Sequence, residues 1–234
     1  MTFVLAIETS GDRGSVALGR DGAVMAARVF ESIRRHGADL MPNIADLCKE
    51  CDIRPEQIGL VCLSIGPGSF TGLRLGVAVA RALSLSTGAA IVPVPTLQVI
   101  AHNALDLSHP PERLAAFLDA KRNRAYAAAF ALKDNSYECV TETLEVDPAE
   151  FLRSQPSDIV VTGEGVRVHR AAIESVGCGM LAENLRTARA EWVLKLGHQT
   201  FTTNGSTNRR DVVPLYVRLP EPEEKLAARA TIRQ

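Results

Sequence analysis

The sequence has no surplus of either charge. Lys and Arg number 26 and Asp and Glu 27, for a formal net charge of −1. A chain that grips nucleic acid unaided carries a strongly positive face, so this balance argues against one. No apolar run reaches the ~18 residues that a bilayer span needs. The first ten residues, MTFVLAIETS, lack the basic region and cleavage site of a secretory leader. The expectation is a cytoplasmic protein rather than a secreted, membrane-spanning or fibrous one.

Catalytic signatures are missing as well. The five cysteines, at 48, 51, 62, 139 and 178, are odd in number and scattered, which is not a disulfide framework. Cys48 and Cys51 form a C-x-x-C, but no second such pair and no spaced histidine pair completes a zinc site. They close a helical pattern instead of opening one, which is the wrong end for a reactive thiol pair. The histidines, at 36, 102, 109, 169 and 198, include no His-Glu-x-x-His, and no Gly-x-Ser-x-Gly elbow is present. No catalytic residue and no metal ligand can be assigned from these residues.

What is present is a large core and a repeated order of elements. Of the 234 residues, 46% are hydrophobic, enough to bury a substantial interior. Apolar runs over 3–7, 15–18 and 23–30 are joined by tight turns, the second of them Asp21-Gly22, and predict an antiparallel meander. A helix follows over 38–50, then a buried strand over 58–65, a helix over 73–86 stopped by Gly88, a strand over 89–94 and a helix over 96–107 capped by Thr96. The pattern restarts with strands over 114–118, 126–132 and 139–146, a helix over 148–153 and a strand over 158–162. Past 171 it becomes hard to place, with a helix over 187–201 and a tail over 214–234. Glu8 aligned on Asp119 brings the two series into step. The expected fold is α/β, two duplicated βββαβα lobes with a cleft between them: residues 1–110, a reduced lobe over 111–218, and a tail over 219–234.

Two segments could carry binding chemistry. In the turn Glu8-Thr9-Ser10-Gly11-Asp12-Arg13-Gly14, glycines let amides turn towards an anion, hydroxyls add donors, and a carboxylate could hold a hydrated cation. The same residues also suit a plain tight hairpin. The second segment, Gly66-Pro-Gly-Ser-Phe-Thr-Gly-Leu-Arg74, joins a strand to a helix and is not a Walker loop, since no Lys follows its glycines. It reads equally as an anion site or as a close strand-to-helix crossing. The helix beyond it repeats Gly72, Gly76, Ala80 and Ser84 every four residues, a ridge on which another helix could pack closely. Gly72, Leu73, Arg74, Gly76, Ala80 and Arg81 are therefore the candidate partner interface.

Together these blocks resemble the TsaB (YeaZ) family. The resemblance rests on Leu5-Ala-Ile-Glu-Thr-Ser10, Ser15-Val-Ala-Leu18, His36 with Leu40-Met-Pro42, and Gly66 to Arg74. Leu118-Asp-Ala-Lys-Arg122 with Tyr126, and Pro214-Leu-Tyr-Val-Arg218, extend it over about residues 3–220. It implies an actin/sugar-kinase/Hsp70-like (ASKHA) fold and a role in forming threonylcarbamoyladenosine in tRNA, beside the anticodon. It implies a non-catalytic partner of TsaD, the transferase, together with the ATPase TsaE and with TsaC, which makes the adenylate. tRNA is met through the complex, and the isolated chain forms a homodimer. No cofactor is required; the turn residues Glu8, Thr9, Ser10, Gly11 and Gly14 are where ATP or ADP would bind weakly. TsaD's paired-histidine motif is reduced here to His36-Gly-Ala-Asp-Leu40, and Glu8 stands where Asp is expected. The alternatives from other classes are a sugar-kinase-like phosphotransferase using the Glu8 turn, and a glycoprotease-like metallopeptidase.

Overall fold

The computed structural model describes residues 1–31 and 36–217. The expected tail over 219–234 and the side chain of His36 lie outside the described residues. The first series comprises β1 (Phe3–Glu8), β2 (Arg13–Arg20), β3 (Ala23–Glu31), α1 (His36–Glu50), β4 (Ile58–Ser64), α2 (Phe70–Thr87), β5 (Ala90–Val94) and α3 (Thr96–His102). The second comprises β6 (Arg113–Lys121), β7 (Arg124–Lys133), β8 (Ser136–Val146), α4 (Pro148–Arg153), β9 (Val160–Thr162), α5 (Gly165–Val176), β10 (Gly179–Met180) and α6 (Ala190–Asn204).

Each series builds a sheet of the same plan. The orders are β3-β2-β1-β4-β5 and β10-β9-β6-β7-β8, so β1 and β6 hold equivalent central positions. Each pairs antiparallel with its hairpin partner and parallel with the strand that follows a helix. Asp21 and Gly22, both at positive φ, make the two-residue turn between β2 and β3. Asp134 and Asn135 do the same between β7 and β8. At the cleft, Glu8 pairs with Ser15 and Asp119 with Ala125. The equivalence of Glu8 and Asp119 expected from their spacing is thus a topological one.

Helices cover both faces of both sheets, which is why β1 is apolar at every position. Leu5 and Ile7 point into a core with Leu40, Ile44 and Leu47 of α1 and Val77 and Ala80 of α2. Val4 and Ala6 point the other way, into a core shared by the two sheets and filled by α3 and α6. Phe117, Ala127 and Ala129 of the second sheet pack outward on Phe151 of α4 and on Val166 and Ile173 of α5. A cut near residue 110 separates the sheets but not the helices. α3 packs on β6, β7 and β8, whereas α6 packs on β1, β2, β4 and β5. Each lobe therefore lends a helix to the other.

Four boundaries differ from expectation. α2 begins at Phe70, before the glycine pair, because the Ser69 hydroxyl accepts the Gly72 N–H at 3.2 Å and caps it. Thr96 does not cap α3; its hydroxyl accepts the Gly66 N–H at 3.1 Å and holds the loop before α2. That helix gives way at Asn103 to a 3₁₀ turn. α5, unassigned from sequence, buries only Gly165, Val166, His169 and Ile173, too sparse a stripe to stand out.

Candidate functional site: the inter-lobe cleft and the outer helix

The turns after β1 and β6 face each other across the cleft, but their acidic residues are differently placed. Glu8 is fully buried. Its carboxylate accepts the Ser10 N–H and the Ser10 hydroxyl, both at 2.5 Å, and the Ser64 hydroxyl. Burial pushes its pKa up, and the Ser10 and Ser64 hydrogen bonds offset only part of that. A carboxylate so enclosed has no open side for a hydrated cation. Thr9, also fully buried, donates its hydroxyl to the Gly72 carbonyl at 2.8 Å. Where Gly14 lacks a Cβ, the ring of Phe30 fills the space, 2.1 Å from the position a Cβ would take. Of the five candidate turn residues, Ser10 and Gly11 line the cleft itself, and Gly14 borders the basin beside it.

Asp119, by contrast, reaches the cleft. Its carboxylate accepts the Lys121 N–H at 2.9 Å and the Lys121 Nζ at 2.8 Å, with His169 Nε2 at 3.7 Å. Burial alone would raise its pKa, but the Lys121 hydrogen bonds and charge, with His169, prevail and hold it below the usual range. The β6–β7 turn gains its curvature from Lys121, Arg122 and Asn123, all at positive φ, without a glycine.

Glu164 is the cleft residue that sequence reasoning missed. It follows β9 between Gly163 and Gly165, a stretch that reads as a simple strand end. Its carboxylate accepts hydrogen bonds from the Asp12 main chain and the Thr187 hydroxyl. A Cβ on Gly11 would lie 2.8 Å from its Oε1. Burial, then the nearby charge of Asp12, raises its pKa. Among the described residues, no group of three or more His, Cys, Asp and Glu side chains is placed to hold a metal. All five cysteines are free, and burial pushes the thiols of Cys48 and Cys51 up, away from reactive thiolate.

The ridge of α2 requires a correction. Gly72, Leu73, Gly76 and Ala80 are buried and face the chain's own sheet, not a partner. A Cβ on Gly72 would come within 1.9 Å of the Thr9 carbonyl oxygen, and one on Gly76 within 2.7 Å of Thr9 Oγ1. These small residues let α2 sit directly on the end of β1. The opposite face is the exposed one. Ala78, Ala82 and Leu85 lie open there, with Leu85 70% exposed, and Met41 of α1 is also exposed.

Arg74 and Arg81 are tied to the chain's own C-terminal stretch. Arg74 stacks on the Phe70 ring at 3.8 Å and donates Nε to the Tyr216 hydroxyl at 3.0 Å. Arg81 donates to the Arg210 carbonyl at 2.8 Å. This stretch is stitched to the first sheet by Thr207 N–H to Ile91 O at 2.9 Å and to the loop by Leu215 N–H to Ile65 O at 2.6 Å, with Val212 buried between. The Pro214-Leu-Tyr-Val block is thus a strap over the loop that precedes α2.

Two sheets of order 3-2-1-4-5, an exchanged helix pair and a cleft at the central strand ends define an ASKHA-type α/β protein. Within that class the chain belongs to the family described as TsaD, tRNA N6-adenosine threonylcarbamoyltransferase, whose model matches residues 26–192. Along its length it is similar to the tRNA threonylcarbamoyladenosine biosynthesis protein TsaB of Bacillus subtilis, 28% identical over 95% of this chain and 96% of that one. The TsaB of Escherichia coli is 27% identical over 92% of this chain and 94% of that one. The solved structure of YeaZ from Pseudomonas aeruginosa superposes with a TM-score of 0.83 at 22% identity, covering 92% of this chain and all of that one.

Proposed function

We propose that this protein serves threonylcarbamoyladenosine formation in tRNA as a non-catalytic subunit, docking through the outer face of α2, with α1 beside it, on the transferase TsaD. The observation that carries this reading is the two-sidedness of α2. Its inner ridge is consumed by the sheet, while Ala78, Ala82 and Leu85 present apolar surface to solvent with no charged residue among them. An apolar helix face of small residues accepts another helix at close range. The cleft supports the non-catalytic part, since Glu8 is sealed behind Ser10 and Ser64. No observation favours the phosphotransferase or the metallopeptidase. TsaE and TsaC are partners of the same system, tRNA is met through the assembled complex, and the setting is cytoplasmic. Among the described residues no helix is long and apolar enough to cross a membrane.

The test is Ala78→Glu. A charge placed in a desolvated helix contact costs roughly 2–4 kcal/mol, a loss of about 30- to 1000-fold in affinity. Titration calorimetry with purified TsaD should show that loss while the thermal midpoint of the isolated chain stays unchanged. Wild-type affinity in the variant would remove the outer face of α2 from the interface.

A further inference from the structure

The turn after β1 is built to receive an anion, and the chain supplies one itself. Gly11 leaves open the space in which Glu164 Oε1 sits, 2.8 Å from where a Cβ would be. The Asp12 main chain and the Thr187 hydroxyl both donate to that carboxylate. Amides and a hydroxyl converging beside a glycine, at the end of a central strand, make a cradle for a phosphoryl group. We propose that the Glu164 carboxylate is a built-in occupant of this cradle, and that the cleft takes a polyphosphate only when that side chain is removed.

The surroundings agree with an occupied site. Beside the turn lies a basin of ≈ 770 Å³, wide enough for a chain of phosphates. Arg13, Arg167, Arg186 and Arg189 border it, against the carboxylates Asp12, Glu164 and Glu183. Arg189 is already matched by Asp106, from outside the basin, and by Asn103. The remaining three arginines meet three carboxylates, so the basin is neutral with Glu164 in place and positive without it. Arg167 lies 3.6 Å from Asp12, close enough to follow an anion placed between them. Two negative charges cannot share the cradle, and an incoming phosphate must also displace the hydrogen bonds that Glu164 holds. The elements packed here bring further charges: Glu8 beneath the turn, and Asp119 with Lys121 across the cleft.

The experiment is calorimetric titration of the full chain with inorganic tripolyphosphate, without divalent cation, at neutral pH and low salt. Wild type should give no saturable binding in the millimolar range. Glu164→Ala, which empties the cradle, and Glu164→Gln, which keeps its shape but not its charge, should each bind at least about tenfold more tightly. A gain in either variant supports the proposal, and Gln keeps the test open should Ala not fold. Adding Gly11→Val to the gaining variant should abolish the gain, since the new side chain fills the vacated space. Tight binding by wild type, no gain in either folded variant, or a gain that survives Gly11→Val would overturn the proposal. Glu164 lies in the cleft and not on the outer face of α2, so failure here leaves the docking reading standing.

Discussion

The contact between α2 and the end of β1 has no slack, and that can be measured. At Gly72 a Cβ would lie 1.9 Å from the Thr9 carbonyl oxygen, a main-chain atom that cannot rotate away. Reaching even a tight contact requires the helix to retreat by about 1 Å, and such overpacking costs roughly 1–3 kcal/mol. The retreat also stretches two bonds that lock the loop to the turn, Thr9 Oγ1 to Gly72 O at 2.8 Å and Ser69 N to Ser10 O at 2.7 Å. Losing a buried hydrogen bond adds about 1 kcal/mol, and the better helix propensity of Ala returns about as much. Gly72→Ala should therefore lose ~1–3 kcal/mol net, a fall of roughly 3–10 °C in the thermal midpoint for a chain of this size. Gly76 is the internal control. Its clash is with Thr9 Oγ1 at 2.7 Å, the tip of a side chain that can turn. The propensity gain of ~1 kcal/mol then offsets the crowding, and Gly76→Ala should lie within about 1 kcal/mol of wild type. Urea denaturation followed by circular dichroism resolves both changes. Equal stability of Gly72→Ala and wild type would refute the inward-facing ridge.

Two further substitutions probe buried polar groups. Because burial raises the pKa of Glu8 above its ordinary 4.5, the folded chain holds that proton more tightly than the unfolded one. Its contribution to stability is then best below 4.5 and falls as pH rises through the raised folded value. Glu8→Gln removes this dependence, so thermal midpoints between mildly acidic and neutral pH should fall less for the variant than for wild type; parallel curves would show that Glu8 is not buried in its charged form. Asn103, fully buried, donates to the carbonyls of Leu185 at 3.0 Å and Thr187 at 2.7 Å and accepts from Arg189 Nε at 2.9 Å. Asn103→Ala orphans all three and should cost ~2–4 kcal/mol in urea denaturation, whereas a loss under about 1 kcal/mol would mean that water replaces the side chain without penalty.

Local chemistry was legible and long-range packing was not. Asp21-Gly22 and Gly88 announce a hairpin and a helix stop because their backbone conformations favour few residue types, and the model has both at positive φ. The likeness of Glu8 and Asp119 was visible because strand ends recur at matching spacing. The ridge of Gly72, Gly76 and Ala80 was found but assigned to the wrong neighbour. A four-residue spacing identifies a face of a helix, and a sheet can use small residues there as well as a second helix can. Glu164 escaped notice because Gly-Glu-Gly is ordinary turn sequence; its meaning arises only when Gly11, more than 150 residues earlier, is brought against it. The seat of α6 on the first sheet was hidden in the same way, since nothing local in its sequence names β1 as its neighbour.

These contacts bear on how a docking partner could act. α2 presents its apolar face outward, yet its first turn is locked to Thr9 and Ser10, and its preceding loop is held by Thr96 and by the strap at Leu215. Pushing α2 inward meets the Thr9 carbonyl at once, so the helix cannot yield towards the sheet. Moving it outward breaks buried hydrogen bonds, each worth about 1 kcal/mol, and uncovers Leu73 and Val77. A partner would have to supply several kilocalories per mole to shift α2 either way, more than a moderate helix contact leaves over after paying its own ordering cost. A rigid face of this kind suits a subunit that acts by offering a fixed surface. It does not suit one that relays a movement of the helix into its own cleft.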